Sequence, residues 1–576
     1  MDAPPVPRPR LGRRRSMTAD GHLFVVNGRL EALSADAVVI PTDADFRVEQ
    51  WWRAAAGLEP GTPWSQVEPA GWGHGAALPA RTSRRATKNR PEVWFLDTIA
   101  TTPEGVGDAA RRAVAAIVEH SGDRIRAAAE TAGRDLPLVA LPIIGTGYGG
   151  HRLRRGQVIS ALLATLHDSA RELGVDVALV ASNRADYSAL QHRRRMLARP
   201  TGLAADVIAR AQALGTHAAR GDLALFFGAG VSIAAGLPSW GRLLTELVAK
   251  LELDDDVRER MEDLGPLEQA ELIQVALADR SARAKSDTQK ALGDRVSRII
   301  RAASARPSLS HALLAGMRVR QAATTNYDRL YEQAVTAAGG PTDGRPAVID
   351  RLPWDRASTE RPWLLKMHGD VEHPDSIVLS RSSFVHYDNR WKPVGSLVQS
   401  LMMTKHLLVV GASMTDDNLL RFAYEVAGLR ASITTHDPAA PEIGTVLHLA
   451  DDAAFSRLWK GRFDVVVPTL DADQRDAAPT PDPTESDDAR RLREAAERRR
   501  AARALTVMLD VVAMHAEREA PHLLDARYVD ERSKEAAPLV AELRRLAKSA
   551  RAIGADDAWT QLADSLDQFG AGSTDR

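Results

Sequence analysis

Short unbroken apolar runs, each closing on glycine or a polar cluster, recur along most of this chain. The sharpest is Leu223 to Phe227, followed at once by Gly228-Ala229-Gly230-Val231-Ser232. An apolar run of that length bounded by turn residues predicts a strand buried on both faces, as in a parallel sheet. After the Gly236-Leu237-Pro238 turn the period changes to that of a helix, with Leu243, Leu244, Leu247, Val248 and Leu251 on one face. Before this region, His22 to Gly28, Ala37 to Pro41, Glu92 to Thr98, Leu136 to Ile144 and Val175 to Ser182 read as strands. An alanine-rich helical stretch and a helix from Gln157 to Gly174 lie between them. After it, strands end at Thr325, before His368-Gly369-Asp370 and before Gly411-Ala412-Ser413, and two more run Thr445 to Ala450 and Phe463 to Pro468. Strands alternating with helices predict two α/β domains, 21–195 and 203–470. The second carries a helical insertion over 241–316, in which Pro266 opens one helix and Val296, Ile299 and Ile300 form the apolar face of another.

The flanking segments read differently. Residues 1–20 place Arg8, Arg10, Arg13, Arg14 and Arg15 among prolines, which predicts a disordered basic arm. Gln191 to Pro200 is a positive run expected on a solvated face, and 196–220 reads as a helical connector. A proline- and acid-rich linker spans 471–488, and 489–576 reads as a helical module: Ala489 to Val512, then helices near Ser533 to Ile553 and Ala555 to Phe569. Such a module is expected to serve packing or self-association, so a homo-oligomer is expected.

Composition narrows the chemistry. A chain of 576 residues is too long for one core. Lys and Arg (75) nearly cancel Asp and Glu (76), so no global field recruits nucleic acid. The chain has no cysteine, which excludes disulfides, thiol nucleophiles and cysteine-based zinc sites. No apolar run would span a bilayer and the N-terminus lacks a signal-peptide core, so the expected location is the cytoplasm.

Candidate chemistry gathers at strand ends. Gly228, Asn326, His368 and Gly411 each follow a strand of the second domain, and ligands of open parallel sheets bind outside the carboxyl ends of strands. Singly, each has an ordinary explanation: Asn326 or Asp328 as a helix cap, His368 as a turn histidine, Thr415 or Asp416 as the cap of a helix over Asn418 to Val426. Together they point to one dinucleotide site, with loop N–H groups facing a pyrophosphate. In the first domain Gly145-Thr146-Gly147-Tyr148-Gly149-Gly150 closes a buried strand and suits a phosphate as well.

The pieces Gly228 to Ser232, Gly236-Leu237-Pro238, Thr325-Asn326-Tyr327-Asp328, His368-Gly369 and Gly411-Ala412-Ser413, in this order over about 203–470, resemble the sirtuin-like (silent information regulator) family. The resemblance implies a Rossmann-like domain that takes NAD and cleaves its nicotinamide–ribose bond. The four cysteines of a deacylase zinc ribbon are absent, and Ser239-Trp240-Gly241 stands where deacylases carry Asp-Phe-Arg. Both departures resemble the NAD hydrolases of bacterial antiphage systems such as the Thoeris effector. They imply NAD as substrate, no metal, and nicotinamide and ADP-ribose as products. Gly228, Ala229, Gly230, Ser232, Gly411 and Ser413 would hold the dinucleotide, and Asp328 the nicotinamide amide or its neighbours. Asn326 would fix ribose hydroxyls or the attacking water, with His368 as general base.

The first domain's glycine loop, with Ala35 to Asp43, is similar to the macrodomain family, which implies an ADP-ribose-like ligand at Gly145, Thr146, Gly147, Tyr148 and Gly149. It departs from that family at Arg29, Ile40 and Asp43. An unrestrained NAD hydrolase is toxic, so a nucleotide-derived activator is expected at this loop. The competing expectation is a non-catalytic nucleotide sensor or scaffold on a degenerate sirtuin-like fold; a lysine deacylase ranks behind both.

Overall fold

A computed structural model describes residues 20–572 except 74–79, 82–86, 88–89, 100–101, 148–149, 250, 252–254, 262, 281–287, 340–345, 350–361, 434–441, 471–484, 530–534 and 554–556. The basic arm, most of the linker, and Tyr148 and Gly149 of the first glycine loop therefore lie outside the described residues. Among the described residues no helix is long and apolar enough to cross a membrane.

Both expected sheets form. In the first, strands β1 (Leu23–Asn27), β2 (Ala37–Thr42), β3 (Ala80–Arg81), β4 (Glu92–Asp97), β5 (Leu138–Pro142) and β6 (Asp176–Ala181) take the order β1-β6-β5-β2-β4-β3. All pairs are parallel except β3 with β4. The helices Pro103–Thr131 and Arg155–Leu173 cover one face. Thr102 caps the first of them by accepting from Gly105 N–H at 3.1 Å, and Pro103 suits the first helical position because its missing N–H would have no intrahelical partner.

The second sheet is wholly parallel. Its strands β7 (Leu223–Phe227), β8 (Gln321–Thr324), β9 (Ala347–Ile349), β10 (Trp363–Lys366), β11 (His406–Val410), β12 (Gly444–Leu447) and β13 (Phe463–Val466) lie in the order β13-β12-β11-β7-β8-β10-β9. Alternate residues enter different cores: Leu225, Ala322, Leu364 and Leu408 on one face, Phe226, Ala323, Leu365 and Val409 on the other. Burial on both faces is why these strands read as unbroken apolar runs rather than as alternation. The chain leaves β7 toward β8 on one side and later returns to its other side at β11. Open parallel sheets take their ligands at such a reversal. The insertion folds as a helical satellite around Leu243, Leu244, Leu247, Ile273, Val296 and Ile299.

The C-terminal region departs from a separate module. The helix Asp487–Ala516 lies between the two sheets, and its Leu505, Met508 and Val512 share one core with Phe24 of the first sheet and Leu225 of the second. It runs along the connector helix Ala205–Arg220 so closely that a Cβ on Gly215 would meet His515 Cβ at 2.5 Å. The positive run is also not simply solvated. Arg194 pairs with the fully buried Asp510 of the long helix, and Arg195 donates to Glu517 O at 2.9 Å. Arg503 binds Asp176 of β6 at 2.8 Å. Sequence periodicity marks the apolar side of such a helix but not whose surface covers it. Among the described residues beyond it, Leu524, Val540, Ala547 and Ala571 form a small cluster of their own.

Candidate active site

The four strand ends singled out in the sequence follow β11, β7, β8 and β10, which are consecutive neighbours in the sheet. Their register pairs Phe227 with Val410 and with Thr324, and Thr324 with Lys366. Gly228, Asn326, His368 and Gly411 thus emerge along one edge, with neighbouring strands about 4.8 Å apart.

Two of these ends lock together. Gly228 N–H donates to Val410 O at 3.0 Å and Gly230 N–H to Gly411 O at 2.9 Å. Gly411 has φ +64°, and a Cβ on Gly230 would meet Gly411 Cα at 2.7 Å. Glycine at 228, 230 and 411 thus serves the close contact of two loops. Gly230→Ala is expected to cost about 1–3 kcal/mol through overpacking against rigid backbone; the midpoint of denaturant unfolding measures it.

Asn326 is buried at the centre of a polar network. Its Nδ2 donates to Gly228 O at 3.1 Å and to Ser232 Oγ at 3.2 Å. Ser232 Oγ donates to Asp328 Oδ2 at 2.9 Å, and Asp328 Oδ1 accepts from Leu330 N–H at 3.0 Å. Ser413 is exposed and bonds Thr415 Oγ1 at 2.6 Å.

His368 faces a different set of groups. Its ring packs edge-on against Phe384, centroids 5.0 Å apart, and Nε2 lies 3.2 Å from Asp416 Oδ2. Asp416 also accepts from Leu419 N–H at 2.9 Å, so it does cap the following helix, Asp417–Ile433. Burial works against the Asp416 charge, but His368 and the backbone N–H groups outweigh it and hold the carboxyl below its ordinary value.

Lys366, fully buried and unmarked by any motif, ties the two exits together. Its Nζ donates to Asp370 Oδ2 at 2.8 Å, Glu332 Oε1 at 3.2 Å and Tyr327 O at 3.2 Å. Burial opposes its charge, yet Glu332, Asp370 and Asp328 keep it above its ordinary pKa. The ammonium therefore fixes the turn after Asn326 to the turn after His368. The sequence signal for it was slight: one lysine interrupting an apolar strand, Trp363-Leu364-Leu365-Lys366.

In the first domain, Gly145, Thr146 and Gly147 line a cavity of about 590 Å³ at the carboxyl ends of β2, β4, β5 and β6. Trp51, Arg47 and Arg155 share its wall, and Gly145 has φ +77° with Val106 where a Cβ would sit.

Residues 320–461 match the SIR2-like domain family. Over 210 residues the chain is 29% identical to the NAD(+) hydrolase ThsA of Bacillus cereus (strain MSX-D12), covering 35% of this chain and 41% of that one. It is 28% identical over 201 residues to the protein of that name from Cytobacillus dafuensis, and 28% identical over 211 residues to that from Acinetobacter baumannii (strain 532279). These alignments cover 34% of this chain in each case, and 36% and 38% of the relatives. The chain thus spans about two fifths of the curated relatives it matches. Asn326, His368 and Gly411 lie within the stretch that matches the SIR2-like domain family, and Gly228 belongs to the same parallel sheet just ahead of it.

Proposed function

We propose that this protein hydrolyses NAD at the bond between nicotinamide and ribose, giving nicotinamide and ADP-ribose, and acts as a regulated antiphage effector that depletes NAD. The observation that carries this reading is the placement of Asn326 and His368 at matching positions past two paired strands, beside the locked glycine loops. The named activity of the relatives supports it.

The chemistry follows from the residue types. Departure of nicotinamide leaves an oxocarbenium-like ribose, as in other glycosidic cleavages. The loops after β7 and β11 would hold the pyrophosphate and ribose. Positioning of this kind supplies at best about 7–11 kcal/mol of the barrier. Asp416, kept ionised 3.2 Å from His368 Nε2, would favour the proton on that nitrogen and leave Nδ1 as the basic atom. The Asn326 carboxamide would hold the ribose hydroxyls or that water.

In the same reading the first-domain cavity takes a nucleotide-derived activator, with Gly145, Thr146 and Gly147 against its phosphates. Two bonds give this domain a hold on the catalytic loops: Arg134 Nη1 donates to Ala234 O at 3.1 Å, just past the turn bearing Ser232, and Ser34 N–H donates to Pro307 O at 2.8 Å. Incubating the purified chain with NAD and following nicotinamide, alone and with ADP-ribose or cyclic ADP-ribose-type ligands, tests both statements. Release of nicotinamide supports the enzyme, and its absence under every ligand overturns it. Calorimetry with the same ligands decides the cavity: heat that Arg155→Ala abolishes supports it, and no heat for any ligand ends it.

A further inference from the structure

One buried titratable side chain touches the Asn326 network without any motif to announce it. His311 lies in the first turn of the helix Leu309–Gly316 and has no exposed surface. Its Nδ1 accepts from Ser308 N–H at 3.1 Å, and Ser308 Oγ lies 2.8 Å from the same nitrogen. A neutral imidazole that accepts at Nδ1 carries its proton on Nε2. Burial pushes the His311 pKa down to about 4 despite the nearby Asp328, so the ring is neutral near pH 7.

With the His311 proton on Nε2, the Ser232 side takes the following donor order. His311 Nε2 lies 3.3 Å from Ser232 Oγ. The single Ser232 proton goes to Asp328 Oδ2 at 2.9 Å, so the Ser232 oxygen is the acceptor for both His311 Nε2–H and Asn326 Nδ2–H. That uses the full capacity of a hydroxyl, one donor and two acceptor sites. Both hydrogens of Asn326 Nδ2 are then engaged, one on Ser232 and one on Gly228 O, and the carboxamide cannot flip without breaking both. Ser308 Oγ lies 2.8 Å from Val231 O, on the residue before Ser232, and 2.8 Å from His311 Nδ1, so its one proton serves one of the two at a time.

We infer that His311 is a positioning residue for the proposed reaction: a neutral imidazole that, through Ser232, fixes which face of the Asn326 carboxamide meets the substrate. The inference rests on the reading of Asn326 as part of the nicotinamide-releasing site, and the experiment separates the two. His311→Phe keeps the ring but removes the donor, and His311→Gln restores an acceptor and a donor at similar reach. With one hydrogen bond lost from the orienting chain, His311→Phe is expected to lower kcat about tenfold with KM nearly unchanged. His311→Gln is expected to recover most of that loss. Independently of turnover, the side-chain NH₂ of Asn326, followed by NMR in selectively labelled protein, is expected to exchange slowly in the parental chain and in His311→Gln, and faster in His311→Phe.

A KM-only effect, or Asn326 exchange unchanged in His311→Phe, overturns the assignment. If the parental chain releases no nicotinamide under any condition, the proposed reaction fails, and the Asn326 exchange still decides the network. Should the larger ring prevent folding, His311→Leu carries the same two readouts.

Discussion

Replacing His368 with alanine is expected to lower nicotinamide release by about 10²–10⁴-fold, the usual contribution of a positioned general base. The fold should survive. The imidazole contributes an edge-on ring contact to Phe384, and Asp416 beside it keeps its bond to Leu419 N–H at 2.9 Å. Asp416→Asn is a milder test of the same arrangement, because it keeps size and cap but loses the charge 3.2 Å from Nε2. Its expected loss lies between parental and His368→Ala rates, and falls on kcat rather than KM. The assay is nicotinamide release at saturating NAD, with circular dichroism to confirm folding. His368→Ala turning over at the parental rate would remove the general base from the mechanism and leave positioning alone to explain any activity.

Much of the site was legible because buried parallel strands announce both themselves and their carboxyl ends. Leu223 to Phe227 is uninterrupted apolar sequence because β7 is covered on both faces, and glycine follows because Gly411 leaves no room for a Cβ. The same logic located Asn326, His368 and Gly411. What stayed hidden were residues whose role depends on contacts distant in sequence. His311 offers a Ser-x-x-His spacing that ordinarily means only a helix cap, and the bond that matters runs to Ser232, 79 positions away. Lys366 looks like a misplaced charge in a strand until Glu332 and Asp370 are seen around it. The two-residue β3 and three-residue β9 are too short to leave a periodic trace. The arginine run at 191–200 was misread for a related reason: charge density predicts solvent unless a buried carboxylate from another segment meets it, and Asp510 lies 316 positions from Arg194.

That carboxylate carries the largest expected effect on stability. Asp510 is fully buried; it binds His22 Nε2 at 2.8 Å and Arg194 Nη1 at 3.0 Å, joining β1, the arginine run and the long helix. Asp510→Ala strands Arg194 beside a buried hole and is expected to cost about 3–5 kcal/mol, since removing one partner leaves an uncompensated buried charge. Denaturant unfolding of the full chain at neutral pH measures it. The pH dependence has a definite sign. Burial alone would raise the Asp510 pKa, but Arg194 and His22 outweigh it and bring it from 3.8 down to about 2. A carboxyl whose folded pKa is depressed stabilises the fold fully above its unfolded value and loses that contribution as pH falls through the folded one. Asp510→Asn removes the charge at nearly constant volume. The stability gap between the parental chain and Asp510→Asn should therefore be constant well above pH 3.8 and shrink as pH drops toward 2. Taking the difference cancels carboxyls common to both chains. A gap that does not change across that window would mean that Arg194 and His22 do not hold this carboxylate, and that apolar contact alone fastens the long helix between the sheets.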